Sequence, residues 1–121
     1  MVNPDESAEL TELKDRLVGG MVEYMNGGNS AGYTQKDIDR CMGILDEYLA
    51  TVGDASATGN VQVIMSRVEK AVKGLNALSS ECEELIETDQ REVICEIIIK
   101  AAAYAGLESA TYDITEEWRE W

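Results

Sequence analysis

Residues 88–106 read TDQREVICEIIIKAAAYAG, and the recurrence of their apolar positions settles the class of fold. Val93, Ile94, Ile97, Ile98, Ala101, Ala102 and Ala105 follow the 3.6-residue period of an α-helix, not the two-residue alternation of a strand. They cover more than half of the helix circumference, which predicts a helix walled in on several sides, the most buried of the chain. Thr88 or Asp89 opens it, with Asp89 and Glu92 spaced for a reciprocal cap, and Gly106 stops it. It is no membrane span. Val93–Ala105 is the longest apolar run, well short of the ~20 residues a span needs, and Glu96 and Lys100 interrupt it.

Three further segments repeat this period. The first helix begins with Asn3 as its cap and Pro4 at the first helical position, where a missing N–H costs nothing. Leu10, Leu13, Leu17, Met21 and Tyr24 or Met25 trace its apolar face, and the flexible Gly27–Gly32 loop ends it. Thr34 caps the second, with Asp37 three residues on in a weak capping box. Its stripe is Ile38, Cys41, Leu45, Tyr48 or Leu49, and Val52, with Gly53 as the stop. After a small-residue loop, Asn60 caps a segment whose stripe runs Val61, Ile64, Val68, Ala71 or Val72, Leu75, Leu78, Cys82 and Leu85 or Ile86. This segment reads as one long helix or as two with a break near Ser79-Ser80, residues that prefer caps; the single helix is the favoured reading. Past Gly106, Asp113 and Glu116 are placed to cap one or two turns carrying Trp118. The whole predicts an all-α fold: an antiparallel bundle of four main helices with a short C-terminal helical turn, a single domain over residues 1–121.

Composition narrows the function. Of 121 residues, 24 are Asp or Glu, 10 are Lys or Arg and none is His, a formal net charge of −14. With 45% apolar residues and one proline this is a globular chain. Nucleic acid and anionic membrane repel such a surface, because binding either requires Lys and Arg. The absence of His removes the usual general base, the commonest metal ligand and any Ser-His or Cys-His nucleophile. An enzyme would have to work with carboxylates, Lys, Tyr or Cys alone, and a non-catalytic protein is expected. No metal or cofactor is expected either. The Gly27–Gly32 loop lacks the Gly-Lys-Ser/Thr ending of a phosphate loop, and bundle di-iron sites need Glu-x-x-His pairs. Cys41, Cys82 and Cys95 are odd in number and widely spaced, so no disulfide framework or zinc site is indicated. Cys41 and Cys95 sit in apolar stripes, as plain buried thiols do. The N-terminal MVNPDES has neither the basic nor the apolar region of a signal peptide, so a reducing cytoplasm is the expected compartment.

The acidic residues are unevenly spread. Residues 1–80 hold 12 acidic and 7 basic residues, net −5; residues 81–121 hold 12 and 3, net −9. One block comprises Glu81, Glu83, Glu84, Glu87, Asp89, Glu92 and Glu96, and a second Asp113, Glu116, Glu117 and Glu120. Glu83 and Glu87, like Glu92 and Glu96, are four apart on a helix and repel by a few tenths of a kcal/mol. Such a face is either simply solvated or built to dock on a basic partner, gaining steering and affinity. Both tryptophans lie in the last four residues. Trp118 either folds back over the end of the bundle or stands as an aromatic anchor among carboxylates, with Tyr104 and Tyr112 extending the patch.

Leu75-Asn76-Ala77-Leu78, Glu84 to Thr88 with Arg91-Glu92, Ala102 to Gly106 and the ending Glu117-Trp118-Arg119-Glu120-Trp121 together resemble a family of small, acidic, all-helical bacterial proteins of unknown function and immunity-protein type. The resemblance covers roughly residues 60–121 and carries no site residues with it. It implies a protein encoded beside a secreted or contact-delivered toxin. The functional expectation is therefore a non-catalytic immunity protein whose acidic face neutralises a basic, nuclease-type toxin. Glu83, Glu84, Glu87, Glu92, Glu96, Glu116 and Glu117 would supply charge, and Tyr112 and Trp118 anchors. The alternatives are a nucleic-acid mimic or regulatory protein-binding module and, behind it, a small helical enzyme or ligand carrier.

Overall fold

A computed structural model describes residues 4–27 (side chains from residue 8), 33–53, 59–82, 85–86, 88–107, 114–116 and 118–121. Four helices form an all-α bundle: α1 (Pro4–Met25), α2 (Gln35–Val52), α3 (Val61–Glu81) and α4 (Thr88–Tyr104). Cross-helix pairs fix their directions. Glu9 meets Lys100 and Arg16 meets Glu96, so α1 and α4 run antiparallel; Arg40 meets Glu81 and Glu47 meets Lys70, so α2 and α3 do too. α2 and α4 each touch all three other helices, while α1 and α3 lie on opposite flanks.

The period read from residues 88–106 is the period of burial: Val93, Ile94, Ile97, Ile98, Ala101, Ala102 and Ala105 are all in the core. They meet Leu10, Leu13, Leu17 and Met21 of α1, Ile38, Cys41, Leu45, Tyr48 and Val52 of α2, and the α3 stripe from Ile64 to Leu78 in one cluster. Of the paired options, Tyr48 is buried and its hydroxyl donates to the Ile98 carbonyl at 2.7 Å, which joins the two central helices. On α1 the packing residue is Met25, while Tyr24 is 44% exposed and stacks on Tyr33. Val61, expected in the α3 stripe, is exposed as the first helical residue.

The ends follow the chemistry of their caps. Asn60 accepts the Val63 N–H at 3.2 Å, and the Thr34 N–H donates to Asp37 at 3.0 Å, holding that carboxyl below its ordinary range. The expected α1 cap, Asn3, lies outside the described residues. α4 begins at Thr88, which puts Asp89 and Glu92 inside the helix rather than in a reciprocal cap. At its other end Gly106 takes φ +110°; its N–H bonds the Ala103 carbonyl and Leu107 N–H bonds that of Ala102, the double closure of a Schellman motif with Leu107 buried over it. Gly59 docks there, donating to the Ala105 carbonyl at 2.8 Å.

The long third helix is corrected. α3 stops at Glu81, one residue beyond Ser79-Ser80; Cys82 leaves helical geometry at φ −133°, and the Leu85 N–H turns back to its carbonyl. The apolar period continued because Cys82, Leu85 and Ile86 are buried by a turn folded onto the core, not by more helix. The C-terminal segment makes a single turn, closed by the Arg119 N–H on the Thr115 carbonyl at 3.0 Å. No described helix is long and apolar enough to cross a membrane.

Two glycines test this account in opposite directions. Gly19 is exposed in mid-helix, and a Cβ there meets nothing within 4 Å. Gly19→Ala should raise stability by about 0.5–1 kcal/mol. Gly106→Ala would force a positive φ on a side chain and press its Cβ to 3.2 Å from the Gly59 backbone. It should cost about 1–3 kcal/mol. Thermal unfolding followed by circular dichroism should show the first above and the second below the parent.

Candidate functional site: an acidic groove between α1 and α4

Two glutamates expected to carry charge, Glu92 and Glu96, lie on the same side of α4 and line one groove against α1. Leu17, Gly20 and Val93 line it between the two walls, and its volume is about 690 Å³, within the range of formed ligand sites. The helices set its shape. Gly20 has no side chain, and the Gln90 amide nitrogen lies 3.4 Å from where a Cβ would stand. At the far end α1 and α4 are fastened together: Glu9 accepts from Lys100 and, at 2.5 Å, from the Tyr104 hydroxyl. The groove occupies the other end, where α1 finishes and α4 starts.

Its electrostatics are one-sided. Among the described residues Arg16 is the one cation lining it, and it already reaches Glu96 at 3.6 Å; Lys100 approaches Glu96 from the next turn at 3.5 Å. Glu23, Asp89 and Glu92 also line the groove, and no cation lies within ion-pair distance of them among the described residues. Asp89 sits in the first turn of α4, where the helix dipole favours a carboxylate. Glu23 sits near the C-terminal end of α1, where the dipole disfavours one, and the last turn of α1 has no basic residue. The Gln90 side-chain oxygen is buried with no donor among the described residues. Chemically, this is a concave receiver for positive charge and N–H donors.

The rest of the acidic face divides. Glu81 is bound by Arg40 at 2.7 Å, and Glu116 is exposed. Glu83, Glu84, Glu87, Tyr112 and Glu117 lie outside the described residues. Trp118 and Trp121 are half-buried and packed against the core. The Asn76 amide grips the tail's backbone, donating to the Trp118 carbonyl at 2.7 Å and accepting the Glu120 N–H at 2.9 Å. Trp118 thus folds back on the bundle, along α3.

Three features were not foreseen. Glu23 and Asp89 join Glu92 and Glu96 in one groove; the spacing of Asp89, Glu92 and Glu96 at i, i+3 and i+7 marks a common face, but nothing local ties Glu23 to it. Around Cys95, Arg91, Lys100 and Arg119 line a second cavity of about 410 Å³ that shares Glu92 and Glu96 with the groove, so the C-terminal third is not uniformly acidic. Cys95 itself is only half-buried, with the Arg119 guanidinium donating to its sulfur at 2.9 Å. Cys41 is fully enclosed, and burial pushes its thiol up to about 12.

The Glu9–Lys100–Tyr104 fastening predicts a pH dependence. Its hydrogen bonds, that from Lys100 first, hold the Glu9 carboxyl below its ordinary value. A lowered folded value means the network stabilises fully above the unfolded range, near about pH 4.3, and is lost as pH falls through the lowered value. The stability gap between the parent and Glu9→Gln should be largest at neutral pH and narrow steadily on acidification below the unfolded range, as read from urea unfolding at each pH. A gap that widens on acidification would show that Glu9 does not act as an ionised fastening.

Comparison of the chain with models of known families, with curated proteins and with solved structures gave no match.

Proposed function

We propose that this chain is a non-catalytic immunity protein of the cytoplasm, which binds a cognate bacterial toxin domain of basic, nuclease type and blocks it. The observation that carries this reading is the groove, in which Glu23, Asp89 and Glu92 line a concave surface and have no cation within ion-pair distance among the described residues. Leaving like charges unpaired in one cleft costs stability through self-repulsion, a cost that solubility does not require of a chain at −14. A basic partner repays it. A nuclease that grips phosphates presents Lys and Arg around its own cleft, and opposed fields of this kind raise association rates well above the neutral case. Carboxylates seated among those cations exclude the polyanionic substrate.

The test starts from the gene's neighbours: this reading requires a large secreted protein encoded alongside, and its C-terminal domain is expressed with and without this chain. Co-expression should restore growth, and the purified pair should associate at a rate that falls at least tenfold between about 50 mM and 500 mM salt. Glu92→Lys should slow association at low salt. An affinity indifferent to salt overturns the electrostatic mechanism. Capture of several unrelated DNA-binding proteins in place of one toxin overturns the reading in favour of a nucleic-acid mimic.

A further inference from the structure

Charge alone does not explain why the carboxylates stand around a cleft with Leu17, Gly20 and Val93 between them. A flat acidic face would steer a basic partner equally well. The groove also has direction. Its α1 wall runs from Arg16 to Tyr24, eight residues or about 12 Å, and its α4 wall from Asp89 to Glu96, so it is a trough about two helical turns long between antiparallel helices. Tyr24, one of two large apolar residues exposed among the described residues, stands at its end.

We infer that the α1–α4 groove seats one cationic amphipathic helix of the partner, with an apolar ridge against Gly20 and Val93 and Lys or Arg on both flanks. The inference rests on the partner-binding reading above and specifies what enters the site. Two turns of an incoming helix aim residues i, i+4 and i+7 at the floor, the pattern of helix-in-groove recognition. The notch left by the missing side chain at Gly20 takes one of them. Cations flanking the ridge meet Asp89 and Glu92 on one side and Glu23 on the other. The cation near Glu23 does double service, because it also answers the negative end of the α1 dipole. A lysine or arginine reaching inward supplies the donor that the Gln90 oxygen lacks. Nucleic acid has the wrong sign, and a small polyamine has the charge without the ridge.

The experiment titrates the full chain with three probes. One is a synthetic helix-forming 15-residue peptide carrying Leu at i, i+4, i+7 and i+11 flanked by Lys and Arg; the second is a shuffled peptide of the same composition; the third is spermidine. Amide resonances of Gly19, Gly20 and Val93 report on the groove, with Gly74 on α3 as a distant reference. The helical peptide should bind at least tenfold tighter than the shuffled one and move the groove resonances, not Gly74. Gly20→Met fills the notch without touching a charge; its Cβ meets only the Gln90 amide nitrogen, at 3.4 Å, the free end of a flexible side chain. This variant should melt no lower than the parent, bind the helical peptide at least tenfold more weakly, and keep the same salt dependence. Equal binding of helical and shuffled peptides overturns the inference, as does parental affinity in Gly20→Met. Spermidine moving the same resonances at equal affinity overturns it in favour of a small polycation. The two levels remain separable. Should Gly20→Met neutralise the cognate toxin as well as the parent while Glu92→Lys does not, the groove inference falls and the immunity reading stands. Should the helical peptide bind in the groove while no toxin is neutralised, the immunity reading falls and the groove stands.

Discussion

The bundle depends on the need to cover α4. Apolar residues occupy more than half of its circumference, and burying each large one contributes about 1.5–3 kcal/mol, so exposure on any of its three apolar sides would be costly. One neighbouring helix cannot cover that width. α1, α2 and α3 all contact α4, and only α2 matches it in touching every other helix. The Tyr48 hydroxyl on the Ile98 carbonyl then fixes how the central pair sits, since slipping α2 along α4 would leave a buried hydroxyl without its partner.

A bundle arranged this way must also distribute few cations among many carboxylates. Lys14 bridges to Asp46 across the α1–α2 seam, Arg40 and Lys70 bridge α2 to α3, and Arg16 and Lys100 bridge α1 to α4. Each exposed pair contributes little by itself, typically under about 1 kcal/mol. Their placement matters more. Five of the ten cations are committed to these seams, and Glu23, Asp89 and Glu92 at the α1–α4 opening are left without an ion pair among the described residues. The acidic groove is thus a consequence of how the cations are used as well as of how many acids the chain has.

Most of the fold was legible because it is written in local periodicity and local caps. Ile38, Cys41 and Leu45, or Ile94, Ile97 and Ile98, need no knowledge of the partner helix to be recognised as inward-facing. Thr34, Asn60 and Gly106 act within one turn of themselves. What periodicity cannot register is a change of backbone that keeps the same residues buried, which is why Cys82, Leu85 and Ile86 read as a continued helix. The groove lay further out of reach. Glu23 and Glu92 are 69 positions apart, and only the antiparallel pairing of α1 with α4 brings them to one cleft. Likewise nothing near Trp118 announces that Asn76, 42 residues earlier, holds its carbonyl.

The positions of the α1–α4 contacts give the groove a further property. Glu9, Lys100 and Tyr104 fasten one end of the helix pair, Arg16 and Glu96 meet partway along, and beyond them the residues that face each other are a glycine, an amide and unpaired carboxylates. A pair held at one end and unopposed at the other has its opening formed before any partner arrives. Binding then need not separate packed helices, and it avoids the ordering cost that weakens association in mobile sites. The carboxylates repel most strongly in that preformed state, so their repulsion is relieved only when positive charge enters. In this arrangement the electrostatic cost carried by the free protein becomes part of the driving force for association, and it selects for a partner that brings cations into the cleft over one that merely passes near the surface.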